Sequence, residues 1–452
     1  MSSGFTHIDE AFAYIESFTN LERSPTVKRE YRLERMEALL DAFGRPERSL
    51  EVVHIAGSKG KGSTAAFIAA ILDAAGYEVG LYTSPHVESY TERFSHSRRP
   101  LPEHVLTEEA ERIRRYLEGG GEVRFEAETH GGPPTTFELL TLLAFVSFAR
   151  LGYRYAVLET GMGGRLDATN VVSPVASLVT PIELEHTEYL GNTIAAIATE
   201  KAAIIKSAPA FIGRLAPEAR AVVEARLVET GAKGYFLEEE APRVELDTAS
   251  VPPRLSVELA DGTTLAVRLS MLGLAQADNA ALAALCVRRV FPEIPTAALR
   301  RGLESAWLPG RGELLRTESD TPVVLDGAHT PQSVRRLRDT FTGIFGTRGV
   351  LIFGSVRGKD HEAMAAALAG SFDRVIVARP GTFKESDPHA VAAAFERAGA
   401  RVTLLEEAET ALRHALEEGR GRPVLVTGSF YLLGEVRRAF RALVDGVGGD
   451  FV

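Results

Sequence analysis

The chain has 452 residues, 45% of them hydrophobic and 25% charged, with a formal net charge of −10. That composition suits a globular protein with room for two or three cores, and its acidic balance recommends neither nucleic acid nor an anionic membrane as partner. The one cysteine, Cys286, excludes an internal disulfide or a cysteine-held metal cluster and reads as a buried small hydrophobe. The opening segment carries acids where a secretory leader carries bases, and the longest mostly apolar run, Leu139–Ala149, is too short to span a bilayer. A cytoplasmic protein, by default monomeric, is expected.

In chain order, Glu51–Ile55 reads as a short buried strand. A glycine-rich turn follows it, then a helix over Ser63–Ala75 that Gly76 closes. Further strands are expected at Val79–Thr83, Tyr155–Glu159, Ala176–Thr180, Ala210–Ile212, Val323–Leu325, Val350–Phe353, Arg374–Val377 and Pro423–Thr427. Helical periodicity fills Phe137–Arg150, Thr193–Lys206, Pro217–Thr230, Gln276–Val290, His361–Leu368 and Pro388–Ala398. Such alternation predicts an α/β fold of mostly parallel sheets covered by helices. Arg243–Leu269 departs from it, and its alternating polar and apolar residues predict a small antiparallel excursion. A boundary is expected near Trp307–Arg316, where Pro309-Gly310 interrupts the chain before a new βαβ series. Residues 1–308 and 309–452 are therefore expected as two domains, the second smaller and Rossmann-like.

Three segments carry candidate chemistry. Gly57-Ser58-Lys59-Gly60-Lys61-Gly62-Ser63-Thr64 lies between a strand and a helix, where glycines, successive N–H groups and a lysine suit a phosphate. The common P-loop puts a hydroxyl directly after the lysine, whereas Gly62 intervenes here, which weakens a generic kinase or GTPase reading. In the second segment, the strand ending at Glu159 delivers a carboxylate to a sheet edge, either as a magnesium ligand or as a loop acid. A glycine run, Gly161-Met162-Gly163-Gly164, follows it. The third holds His186, and Lys201 on the following helix. Alone, each reads as an ordinary structural or solvated residue.

Together these segments resemble the Mur ligase superfamily and, within it, the folylpolyglutamate synthase/dihydrofolate synthase family. His54–Thr64 resembles its phosphate loop, extra glycine included, and Thr160–Asn170 its "GxGGRxDATN". Tyr82–His86 and Thr91-Glu92-Arg93 resemble segments one strand later, and Tyr31–Met36 its "LGLERI". Thr199–Lys206 resembles "EKAGIIK", Asp326–Pro331 "DGAHNP", and Thr427–Tyr431 the closing "TGSLYL". The resemblance implies a P-loop-type ATP-binding domain followed by a glutamate-ligase domain. It implies ATP held by Gly57–Thr64, with Lys61 on the β- and γ-phosphates and Asn279, Arg311 and Asp326 at the domain interface. Ser84, Glu159 and His186 would ligate Mg²⁺, and Lys201, carbamylated by CO₂, would help hold a second. Thr135, Thr136, Phe137, Glu138, Leu166, Asp167 and Ala168 would line the acceptor pocket.

Several positions depart from the family pattern. Lys59 stands where many members have Asn, Ala203 replaces Gly, Glu185 replaces Asp, Thr330 replaces Asn, and Gly312-Glu313 replaces an apolar residue after the Arg. The implied reaction is ATP-dependent: a folate-type carboxylate becomes an acyl phosphate, and the amine of L-glutamate displaces phosphate. Both tail extension of tetrahydrofolate and addition of the first glutamate to dihydropteroate are favoured. A nucleotide-binding module that has lost the ligase chemistry is the alternative.

Overall fold

A computed structural model describes residues 4–20, 33–119, 132–317, 320–346, 349–381, 385–419 and 421–445. Eight strands form the first sheet: β1 (Glu51–Ala56), β2 (Val79–Tyr82), β3 (Phe94–His96), β4 (Arg99–Pro100), β5 (Tyr155–Glu159), β6 (Ala176–Val179), β7 (Ala210–Ile212) and β8 (Gly234–Phe236). Their order is β4-β3-β2-β5-β1-β6-β7-β8. All neighbours run parallel except β3 and β4, which fold back as an antiparallel edge.

Period-two burial sorts β1 between two cores. Val53 and Ile55 face the helices Lys61–Ala74, Leu274–Val290 and Thr296–Ser305, while Val52 faces Ile8–Glu16, Leu33–Ala42, Glu103–Glu118 and Thr136–Arg150. Helix Lys61–Ala74 is buried along most of its length between the sheet and the two later helices. Its sequence is accordingly apolar all round rather than amphipathic.

The expected excursion is a three-stranded antiparallel sheet of β9 (Arg243–Asp247), β10 (Arg254–Glu258) and β11 (Thr264–Arg268). Its apolar face, with Leu255, Val257, Leu265 and Val267, packs into the first core.

The second sheet starts at β12 (Arg311–Arg316) and continues through β13 (Pro322–Asp326), β14 (Gly349–Phe353), β15 (Phe372–Val377), β16 (Val402–Leu404) and β17 (Val424–Thr427), in the order β12-β13-β17-β14-β15-β16. Only β12 is antiparallel. It was not expected as a strand, because an edge strand needs one partner only and Pro309-Gly310 and Gly312 at its start read as linker. Helices Pro331–Phe345, His361–Leu368 and Pro388–Arg397 cover one face, and Ala408–Gly419 and Phe430–Asp445 the other. The molecule is thus a two-domain α/β protein, and none of the described helices is long and apolar enough to cross a membrane.

Candidate active site

The phosphate-type loop leaves β1 at its C-terminal edge and enters the helix at Lys61. The structure corrects one expectation here. The N–H groups of Ser58 and Lys59 do not face outward but donate to Pro181 O at 2.9 and 3.2 Å, and Ser58 Oγ exchanges hydrogen bonds with the backbone of Glu183. The first half of the loop is therefore stapled to the segment after β6. The amides at Lys61, Gly62 and Ser63, which have no partner within the helix, remain for an anion. Lys61 Nζ folds back onto Gly57 O at 3.0 Å and stands 3.9 Å from Glu159 Oε1.

Glu159 ends β5 beside β1 and is buried, which raises its carboxyl above the usual range, against the pull of Lys61 and the Ser84 N–H. Ser84 N donates to Glu159 Oε2 at 2.9 Å. The glycine that breaks the common P-loop spacing has its reason here: a β-carbon at Gly62 would lie 3.0 Å from Glu159 Oε2 and 3.0 Å from Leu308 Cδ2. A side chain there would crowd the carboxylate that Ser84 N holds in place.

Lys201, on helix Ile194–Ala202, is buried and donates to the same Gly57 carbonyl at 2.8 Å and to Glu185 Oε1 at 2.8 Å. Burial, reinforced by the charge of Lys61, lowers its pKa to about 8. The glycine run after Glu159 explains how that helix comes so close, since a β-carbon at Gly164 would sit 2.7 Å from Glu200 O. His186 is exposed, in left-handed backbone (φ 46°), within electrostatic reach of Glu185, Lys201 and Lys61. Glu185, which the sequence marked only as a departure from the family's Asp, is the partner that holds Lys201 here.

Asp167 builds the loop around it. Its oxygens accept from Met162 N at 2.9 Å and from Thr169 N and Oγ1 at 3.0 and 2.6 Å. Because the carboxylate can only accept, the Thr169 hydroxyl must in turn accept from His54 Nε2, 2.8 Å away. His54 is thereby held as the neutral Nε2–H form under the turn; burial takes its pKa to about 3. Leu166 is half-buried and Ala168 buried on the same turn.

The other pocket candidates divide. Thr135 and Glu138 form a capping box at the start of helix Thr136–Arg150, and Glu138 also pairs with buried Arg35 at 2.9 Å. Thr136 Oγ1 donates toward Ile15 O and Phe18 O. These polar groups hold the helix in place, while the Phe137 ring is half-buried, 6.0 Å from Tyr82. Tyr31 and Arg32 lie outside the described residues.

Helix Leu274–Val290 of the first core and the second sheet bring further residues to the same edge. Gln276 donates to Ser63 Oγ at 3.2 Å and accepts from Asn279 at 3.0 Å, which ties helix Leu274–Val290 to the phosphate loop. Arg311 is placed over the Phe430 ring at 4.3 Å, within electrostatic reach of both Glu159 and Asp326. Asp326 uses one oxygen for Gly312 N and the other for Ala328 N, each at 2.9 Å. His329, which sequence reasoning passed over, bonds Gly327 O at 2.8 Å, and burial lowers its pKa to about 4.

Glu159 is a desolvated carboxylate facing cations, which suits a metal ligand, and it is the backbone N–H of Ser84, not its hydroxyl, that joins it. No three His, Cys, Asp or Glu side chains among the described residues are grouped as a complete metal site. A Mg²⁺ ion on Ser84, Glu159 and His186 would therefore take its remaining positions from phosphate oxygens and water, as magnesium commonly does.

Residues 55–287 match the Mur ligase middle domain, and residues 310–430 the Mur ligase glutamate ligase domain. A folylpolyglutamate synthase of Lacticaseibacillus casei is 33% identical over 437 residues, 95% of this chain and 97% of that protein. A probable bifunctional folylpolyglutamate synthase/dihydropteroate synthase of Haloferax volcanii is 36% identical over 420 residues; the match covers 91% of this chain but only 49%, about half, of that longer protein. Among solved structures, Mycobacterium tuberculosis folylpolyglutamate synthase complexed with ADP and AMPPCP superposes with a TM-score of 0.82 at 31% identity, covering 98% of this chain and 99% of that one.

Proposed function

Since this chain belongs to the Mur ligase family, in its folylpolyglutamate synthase/dihydrofolate synthase branch, we propose that it joins L-glutamate to the carboxylate of a folate-type acceptor, with ATP converted to ADP and phosphate. The observation that carries this reading is the convergence of Lys61, Glu159 and Lys201 around Gly57 O, opposite Arg311 of the second sheet.

A carboxylate is a poor acyl donor because its oxygen leaves badly. Transfer of the γ-phosphoryl group to it yields an acyl phosphate, which the glutamate amine attacks with loss of phosphate. Two anions must meet in the first step. Lys61 and the helix amides at Lys61–Ser63 offset charge on the transferring phosphoryl group. Bound on Ser84, Glu159 and His186, Mg²⁺ would supply further charge neutralisation. Asn279 and Arg311 border the nucleotide from the interface side, Arg311 as a fixed cation, while Asp326, its oxygens taken by Gly312 N and Ala328 N, holds the frame that presents Arg311. Phe137 and the turn Leu166–Ala168 line the acceptor pocket.

Lys201 is the carbamylation candidate. With its pKa lowered to about 8, far more of its amine is neutral near neutral pH than in an ordinary lysine. Only the neutral amine adds to CO₂. The carbamate would be an anion beside Glu185, a repulsion that a second Mg²⁺ would relieve.

The test is phosphate release from Mg-ATP and L-glutamate with tetrahydrofolate, with dihydropteroate, or with no acceptor. Release with both acceptors supports the bifunctional reading, and release with tetrahydrofolate alone narrows it to tail extension. Acceptor-independent silence with ATP still bound would overturn it.

A further inference from the structure

A buried set of charges lies outside this site, where the two domains meet. Arg437, on the last helix, donates from Nε to Glu313 Oε1 at 2.9 Å and from a terminal nitrogen to Glu88 Oε1 at 2.8 Å, with Glu92 Oε1 at 3.8 Å. Arg441, one turn on, also pairs with Glu88. Glu313 is 2% exposed and Glu88 9%. Glu92 shapes the turn by accepting from Val87 N and Glu88 N at 2.7 and 3.1 Å, and Glu313 does the same for the linker by accepting from Gly310 N at 2.9 Å. The packing is close: a β-carbon at Gly434 would lie 2.4 Å from Val87 O. The Arg437 guanidinium also lies over the ring of Trp307, at 5.1 Å.

Two of the three segments that meet here lead directly into the site. Glu88 follows Ser84 on one short turn, and Ser84 bonds Glu159. Glu313 is two residues beyond Arg311, whose charge reaches Glu159 from the other domain. Resting on the ligase reading above, we infer that Arg437 is a positioning residue: its ion latch sets where Arg311 stands relative to the Ser84–Glu159 pair, and so the domain arrangement in which phosphoryl transfer occurs.

The chemistry suits a contact that opens and closes. An apolar interface of the same area would be at least as stable, because burying charge carries a desolvation penalty. Guanidinium–carboxylate pairs instead impose direction on the closed state. On opening, all five charges return to water, so the separated faces do not become sticky apolar patches. Disruption would lower the fraction of molecules in the competent arrangement while leaving the phosphate loop of the first domain intact.

Trp307 is the sole tryptophan, so its emission reports the latch directly. The variants are Arg437→Met, Arg437→Lys and Glu88→Gln, read by Trp307 emission, small-angle scattering, binding of a non-hydrolysable ATP analogue, and kcat. The expected result for Arg437→Met and Glu88→Gln is red-shifted emission and a larger radius of gyration. Their kcat should be lower by about tenfold or more and analogue affinity within about threefold of wild type, with Arg437→Lys intermediate. Should Arg437→Met fail to fold, the near-isosteric Glu88→Gln carries the same readouts. Unchanged emission and kcat would overturn the inference, and so would a fall in kcat with emission and scattering unmoved. Emission and scattering need no turnover, so an inactive wild type would sink the ligase reading without deciding the latch.

Discussion

The two sheets meet at one cleft but treat their charges differently. At the edge of the first, Lys61 has a lone carbonyl for partner and stands 3.9 Å from Glu159, Glu159 is desolvated, and Lys201 has lost much of its affinity for a proton. At the edge of the second, Asp326 has both oxygens saturated by backbone N–H groups and His329 is locked to Gly327 O. One edge keeps charge in reserve for a ligand, and the other spends its polar groups on holding its own shape. Groups that act on a phosphoryl group must be available to it, whereas a platform that presents Arg311 must be rigid. Substitutions at the first edge should therefore damage turnover more than stability, and those at the second should do the reverse.

The largest effect is expected for Lys61→Ala. Loss of a preorganised cation at a transferring phosphoryl group should lower kcat by about 10²–10³-fold or more, with the melting temperature little changed. Phosphate release checks the first part and calorimetry the second; activity above about a tenth of wild type would remove Lys61 from its role. Asp326→Ala tests the opposite edge. It orphans the Gly312 and Ala328 N–H groups and should cost about 1–3 kcal/mol in chemical denaturation. If stability is untouched while kcat collapses, the contrast between the edges is wrong.

Lys201 sharpens the comparison through pH. With ¹³C-bicarbonate, a carbamate resonance should grow as pH rises through about 8, as the neutral amine becomes available, and should be absent in Lys201→Arg. Constant intensity between pH 6.5 and 8.5 would place the modification elsewhere or nowhere.

A last effect concerns stability against pH rather than turnover. His54 and His329 have folded pKa values of about 3 and about 4, depressed by burial from an unfolded value near 6.5. Below about pH 6.5 the unfolded chain takes up protons that the fold refuses, so stability is present above that pH and falls as pH drops toward 4. Melting curves from pH 7.5 to 5 should show this decline. His54→Asn should flatten it, though at lower overall stability.

Much of this architecture is legible in the chain alone. Short apolar runs bounded by glycine, alternating with helical periodicity, located most parallel strands of both sheets but not the three-residue edge strands β8 and β16, and the excursion at Arg243–Leu269 announced itself by its period of two. Among the motif residues, Lys61 could be assigned to a helix start, Glu159 to a strand end and Lys201 to a helix, because those rules act over a few neighbouring residues. Which polar atoms stay available was decided only by the tertiary structure. The Ser58 and Lys59 amides go to Pro181, Glu138 to Arg35, Asp167 to Thr169 and its own loop, and Glu313 to Arg437. Most of those partners stand a hundred or more positions apart in the chain, where no local pattern reaches. A hydrogen bond or ion pair is satisfied by whatever the fold brings within about 3 Å, and that distance is set by packing rather than by spacing along the sequence.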